Sequence, residues 1–158
     1  MVSLHVVLFQ PEIPANTGNI GRTCLATNAT LHLIHPLGFS TEDKMVRRAG
    51  LDYWPNVDVR EHQSIEELYD LFPDGEYYYI ENFGTKYYTD VDFSNVEKDL
   101  FFVFGQEAKG IPKELLTGKE DRCLRVQMSE KVRSLNLSNT AAIIIFEALR
   151  QQGFPELD

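Results

Sequence analysis

The chain has 158 residues, 43% of them hydrophobic and 25% charged, which are the proportions of one soluble globular domain with a sizeable core. Its 15 basic and 24 acidic residues leave a formal net charge of −9. That excludes a protein that coats nucleic acid without specificity, because such binding rests on neutralising phosphates, but it leaves room for a local basic patch that positions one RNA.

The N-terminus, M-V-S-L-H-V-V-L-F, has no basic leader and no small-residue cleavage site, so it reads as a first strand rather than a signal peptide. Within it Val6 to Phe9 is fully apolar, as in a strand buried on both faces. After Pro11 and Pro14, N-T-G-N-I-G-R (16–22) reads as a loop entering a helix, with Ile20 and Cys24 at helical spacing. L-H-L-I-H (31–35) is a second strand. Ser40, Thr41, Glu42 and Asp43 open a helix through D-K-M-V-R-R-A, which Gly50 stops. V-D-V-R (57–60) is a third strand. Ser64 with Glu67 forms a capping-box pattern ahead of L-Y-D-L-F, and Pro73-Asp74-Gly75 ends that helix. E-Y-Y-Y-I (76–80) and L-F-F-V-F (100–104) are the fourth and fifth strands. A short helix follows Ile111-Pro112, and C-L-R-V-Q (123–127) is the sixth strand. Ser138 or a neighbour caps a last helix running to Gln152, with Gly153 as its stop.

Strands alternating with helices predict a single α/β domain over residues 1–158, with a mostly parallel sheet flanked by helices. Ligands of such sheets sit beyond the carboxyl ends of the strands. Unusual segments follow four of them: N-T-G-N-I-G-R after the first, E-N-F-G-T-K after the fourth, G-Q-E-A-K-G-I-P after the fifth and S-E-K-V-R-S-L-N-L-S-N after the sixth. Gly105, directly after an apolar strand, permits close backbone approach to a ligand, and Gly110 permits the next turn. Glu107 between them is a ligand contact or a cap for a backbone amide. Asn16 serves a site or caps a helix, and Arg22 serves a site or forms a surface salt bridge. In the last segment Ser134, Asn136, Ser138, Asn139 and Arg133 crowd one helix entrance, more polar groups than its few orphan amides require. The surplus points to a bound polar ligand or a partner loop.

Several chemistries find no support. N-T-G-N-I-G-R is neither G-x-G-x-x-G nor a P-loop. Cys24 and Cys123 form no C-x-x-C, so a metal site is not expected and both read as small buried apolar residues. The four histidines do not cluster in sequence and read as structural. The apolar run 141–146 is too short to span a bilayer, and a cytoplasmic protein without membrane contact is expected.

Taken together and in this order, P-E-I-P-A-N-T-G-N-I-G-R (11–22), D-K-M-V-R-R-A-G-L-D-Y (43–53), F-G-Q-E-A-K-G-I-P (104–112) and R-S-L-N-L-S-N (133–139) resemble the SPOUT methyltransferases. The match is nearest the small single-domain group that methylates the ribose 2′-hydroxyl of nucleotide 34, the wobble position of tRNA. The resemblance covers nearly the whole chain. It implies a C-terminal trefoil knot, a homodimer with the last helix at its interface, and S-adenosylmethionine as methyl donor. It implies cofactor contacts at Ile80, Gly105, Val126 and Ser134, with Leu135 and Asn139 nearby. It places Arg22 near the reacting ribose, with Asn16 and Asn136 orienting the ribose or Arg22, and Glu107 organising the cofactor loop. Lys44, Arg47 and Arg48, the densest basic patch, are expected to meet the anticodon-arm backbone; the ordinary alternative is a solvated helix face. Related sequences often carry tyrosine where this chain has Phe146, so that hydroxyl is absent here. A 2′-O-methyltransferase acting on ribosomal RNA or another tRNA position, a non-catalytic RNA-binding module of the same fold and a small-ligand sensor are the competing readings.

Overall fold

The computed structural model describes residues 3–158, with backbone alone at positions 50–52. Seven strands form one sheet: β1 (Leu4–Phe9), β2 (Thr30–Ile34), β3 (Val59–His62), β4 (Glu76–Ile80), β5 (Lys86–Tyr87), β6 (Leu100–Phe104) and β7 (Cys123–Arg125). Their order across the sheet is β3-β2-β1-β6-β4-β7-β5, and every pairing is parallel. Five helices flank it: α1 (Pro14–Thr27), α2 (Lys44–Gly50), α3 (Ile65–Leu71), α4 (Lys113–Leu116) and α5 (Leu137–Gln151).

Strands buried on both faces are near-continuously apolar, and β1 and β6, adjacent at the centre, are buried at every position, with His5 the one polar side chain between them. Ile20 and Cys24 of α1, Val46 of α2 and Ala141, Ile144 and Ile145 of α5 join Val6, Leu8 and Phe102 in one core. Ile65 and Leu68 of α3 and Leu116 of α4 join Val7, Phe101 and Val103 in the other. The result is three layers, α1, α2 and α5 on one face and α3 and α4 on the opposite one. From β1 the chain turns toward β2, and from β6 toward β7, in opposite directions across the sheet. The carboxyl ends of β1 and β6 therefore flank a switch point, where open α/β sheets bind ligands.

Several sequence expectations shift. Residues 1 and 2 of the predicted first strand lie outside the described residues. N-T-G-N-I-G-R has no loop part and lies wholly within α1: Pro14, with φ preset for a first turn, starts the helix earlier than expected, and Thr17, Gly18, Ile20 and Gly21 bury against the core. The third strand is Val59–His62, two residues later than 57–60. The sixth predicted strand ends at Arg125, and a seventh, the two-residue β5, was not expected. The cap of the last helix is Asn136, not Ser138. Cys24 and Cys123 are free and buried, and burial pushes the Cys24 thiol up to about 12. No described helix is long and apolar enough to cross a membrane.

Three of the four histidines, scattered in sequence, meet in the fold, while His35 pairs with Glu61 instead. Parallel register pairs His5 with Thr30 and His32 with Arg60, so each next histidine lies two residues beyond its neighbour's partner and on the same face. His5 Nδ1 lies 2.9 Å from His32 Nε2, and His32 Nδ1 lies 2.8 Å from His62 Nε2. His5 Nε2 contacts Asp99 Oδ2 at 3.2 Å. All three rings are at most 4% exposed. With the Asp99 carboxylate as acceptor, the bonding pattern assigns the Nε2–H tautomer to each ring. His62 Nδ1 is then a bare acceptor, buried without a hydrogen-bond partner, with Glu67 Oε1 at 3.8 Å.

Candidate functional site

A cleft of about 580 Å³ opens at the carboxyl ends of β4 and β6, beneath the N-terminus of α5. Its volume lies in the range of small-molecule sites. Ile80 and Phe104 form part of its apolar floor, and Gly105 and Ser134 belong to its walls. Gly105 is there because no other residue fits: a Cβ would stand 2.1 Å from Gly110 C and 2.3 Å from Ile111 N. The loop closes on itself through Gly110 N–H donating to Gln106 O at 2.9 Å and Gln106 N–H to Gly110 O at 3.3 Å.

Two polar contacts tie α1 to this cleft. Asn136 Nδ2 donates to Asn16 Oδ1 at 3.1 Å, while its Oδ1 caps α5 by accepting from Ser138 N–H (2.9 Å) and Asn139 N–H (3.3 Å). Asn16 is 6% exposed, so its carbonyl is held rather than solvated. The Glu107 carboxylate accepts from Glu12 N–H at 2.9 Å and Ile13 N–H at 3.2 Å, where α1 has no side-chain cap of its own. Glu107 thus fastens the loop after β6 to the entry of α1, the capping alternative of the sequence reading.

The fold brings Ile80, Gly105, Ser134, Leu135, Asn16, Asn136 and Glu107 to one cleft, and leaves others outside its lining. Val126 is half-buried and lines a smaller neighbouring cavity of about 140 Å³, which shares Asn82 and Arg133 with the cleft. Asn139 is exposed and off the lining; Thr140, one residue on, lines the cleft instead. Arg22 lies six residues along α1 from Asn16, roughly 9 Å of rise and about 240° of rotation. It is exposed, with its guanidinium 5.2 Å from the Tyr53 ring centroid, on the side of α1 that meets α2 and residues 51–56. Lys44, Arg47 and Arg48 are exposed on α2, Arg47 in an ion pair with Glu42 at 2.8 Å. Arg22 therefore stands nearer the basic helix than the cleft of its own chain. No group of three or more His, Cys, Asp or Glu among the described residues is placed to hold a metal ion.

Sequence reasoning missed Glu81. It follows Ile80, lines the cleft and is 9% exposed. Ile111 N–H donates to its Oε1, and a Cβ at Gly110, whose φ is +70°, would lie 2.9 Å from that oxygen. Burial pushes the Glu81 carboxyl above the usual carboxylate range, against the amides of Ile111 and Asn82, which hold it down. The missed signal was a carboxylate directly after the aromatic and apolar run Tyr77–Ile80.

An open parallel sheet with a cleft of this size at its strand ends has the form of a small-ligand or cofactor site. The chain belongs to the SpoU rRNA Methylase family, whose model matches residues 3–146. A Geobacillus stearothermophilus relative, named provisionally as a tRNA (cytidine(34)-2′-O)-methyltransferase, is 63% identical over 97% of this chain and 98% of its own. A Saccharophagus degradans relative, named tRNA (cytidine(34)-2′-O)-methyltransferase, is 42% identical over 95% of this chain and 96% of its own. Among solved structures, one described as concerning 2-OH methylation of C/U34 on tRNA superposes with a TM-score of 0.88 at 38% identity, over 96% of this chain and 97% of that one. An rRNA methyltransferase from Sinorhizobium meliloti bound to AdoMet shares the fold with a TM-score of 0.81 at 23% identity, but this chain covers only 56% of it.

Proposed function

We propose that the protein is a tRNA (cytidine(34)/uridine(34)-2′-O)-methyltransferase that takes its methyl group from S-adenosylmethionine. The observation that carries this reading is the end-to-end match to relatives of that name, with 97% of this chain paired to 98% of the Geobacillus relative. The match to the rRNA methyltransferase neighbour, by contrast, spans only 56% of that chain.

The residues of the cleft suit such a cofactor. Ile80, Phe104 and Leu135 offer an apolar slot, and backbone groups around Gly105 and Ser134 offer polar contacts at close range. S-adenosylmethionine, when bound, supplies an electrophilic methyl group on a sulfonium. The ribose hydroxyl must lose its proton as it attacks, and in-line positioning alone lowers such barriers by roughly 7–11 kcal/mol. Arg22 is a positioner of phosphate or hydroxyl, since a guanidinium keeps its proton and is a poor base. Asn16 and Asn136 hold the cleft side of α1, and Glu107 fixes the loop that walls it.

Arg22 lies outside the cleft of its own chain, which supports a homodimer that brings Arg22 of one protomer toward the cleft of its partner, with α5 at the interface. Two exposed apolar side chains, Ile13 on the cleft lining and Phe146 on α5, are compatible with that packing. A threaded C-terminal knot is supported by β7 lying between β4 and β5, two strands that precede it and are joined by residues 81–85. A cytoplasmic location follows from the tRNA substrate.

Incubation with labelled S-adenosylmethionine and tRNA from a strain lacking the enzyme, followed by mapping of the methyl group, tests this reading. Label on the 2′-oxygen of nucleotide 34 is expected. Transfer to another position or to ribosomal RNA would overturn the substrate, and cofactor binding without transfer would overturn catalysis. Arg22→Lys, which keeps the charge and loses the planar fork, is expected to lower turnover on tRNA at least about tenfold while cofactor affinity stays unchanged. Full activity would remove the positioning role. Arg47→Ala with Arg48→Ala is expected to weaken tRNA binding and reduce the slope of log affinity against log salt by up to about two, one for each phosphate no longer neutralised. An unchanged slope removes α2 from the tRNA surface.

A further inference from the structure

Glu81 is a buried carboxylate with no cationic partner. It makes no ion pair with any described residue. Its polar partners are backbone amides, of Ile111 and Asn82, and its wall neighbour is Gly110. Two amides do not neutralise a full charge, and a buried ion without a counterion carries a desolvation cost. Nearby cations are poorly placed to help. Lys109 and Arg133 line the same cleft but are exposed, so solvent screens them. Glu107, the other carboxylate on the lining, is bound to the amides of Glu12 and Ile13.

The cofactor assigned to this cleft changes charge when it reacts. S-adenosylmethionine carries a sulfonium, an ammonium and a carboxylate, a net charge of +1. S-adenosylhomocysteine, which has given up the methyl group, has a neutral sulfur and a net charge of zero. Apart from that methyl the two fill the same space, so shape barely separates them. A buried carboxyl without a counterion beside the cleft does separate them: a cationic ligand draws it into its ionised form and attracts it far more strongly in a partly desolvated site than in water, and a neutral ligand does neither.

We propose that Glu81 is a specificity residue that biases the cleft toward the cationic methyl donor and against the neutral product, favouring product release after each transfer. The proposal rests on the cofactor reading above. Glu81 acts through its charge on the ligand and takes no part in the methyl transfer itself.

Titration calorimetry on the full-length protein tests it, with S-adenosylmethionine and S-adenosylhomocysteine measured separately against wild type and Glu81→Gln. Gln retains a carbonyl acceptor for Ile111 N–H and removes only the charge. Affinity for the methyl donor is expected to fall about tenfold while affinity for the product stays within about twofold, so that the ratio between them collapses. An equal loss for both ligands would make Glu81 a mere brace of the 105–111 loop and overturn the proposal, as would no change for either. Should Glu81→Gln fail to fold, as judged by thermal melting, Glu81→Met, uncharged and of similar length, is read by the same donor-to-product affinity ratio and carries the same expected collapse. Wild-type protein that binds neither ligand would overturn the cofactor reading itself, an outcome distinct from those that test Glu81.

Discussion

Acidification from pH 7 to pH 5 is expected to destabilise the fold by about 2 kcal/mol through His32 alone, with His5 and His62 adding in the same direction. Burial lowers the His32 pKa from 6.5 to about 3, helped by its two histidine neighbours, and burial also lowers His5 and His62. The folded chain therefore keeps His32 neutral where the unfolded chain protonates it. The stability it contributes is complete above pH 6.5 and is lost as pH falls from there toward about 3. Chemical denaturation at pH 7, 6 and 5 reads this directly. His32→Leu should do two things at once. At pH 7 it strands His5 Nδ1 without a donor and His62 Nε2–H without an acceptor, a cost of about 1–3 kcal/mol each. It should also remove roughly one proton from the pH slope. A wild-type stability that is flat over this range would show that the rings are not neutral and linked as their spacing indicates.

Gly105→Ala should have the largest effect on the cleft. The new methyl would meet two backbone atoms, Gly110 C and Ile111 N, which have no rotamer through which to yield. The strand end and the 110–111 turn must separate, straining the mutual Gln106–Gly110 hydrogen bonds and the grip of Glu81 on Ile111. Overpacking of this kind costs roughly 1–3 kcal/mol, and a loop displaced at a cost of about 3 kcal/mol corresponds to about a 100-fold loss of cofactor affinity. Calorimetry against S-adenosylmethionine and thermal melting are the readouts. Wild-type affinity in the variant would mean that the loop relaxes at no cost and that its closeness is incidental.

Legibility in the sequence followed how locally each feature is determined. β1 and β6 were readable because strands buried on both faces need uninterrupted apolar runs, and V-V-L-F and L-F-F-V-F supply them. β3 was misplaced because V-R-E-H at a sheet edge carries little hydrophobic signal, and the two residues of β5 carry none. The first turns of α1 read as a loop entering the helix because asparagine, threonine and glycine favour turns; burial of Thr17 and Gly18 against the core overrides that preference. The glycines of G-Q-E-A-K-G and the polar entrance of α5 identified the walls of the cleft. Helix phase placed Arg22 outside them, and strand register assembled the histidines. Glu81 became visible only when the fold brought Ile111 to its carboxylate. None of these three follows from neighbours in the chain.

The position of β7 has a consequence for how the protein is made. It hydrogen-bonds β4 on one edge and β5 on the other, though both leave the ribosome some forty residues earlier. That half of the sheet cannot close until residues 123–125 have been synthesised, and the entrance of α5 that roofs the cleft comes later still. Such pairings distant in sequence carry a loop-closure cost before any contact repays it, which slows folding. The nascent chain thus acquires its ligand-binding shape only once residues up to about 140 have been synthesised, and truncation before residue 123 leaves β4 and β5 without the strand that joins them and the cleft without its roof.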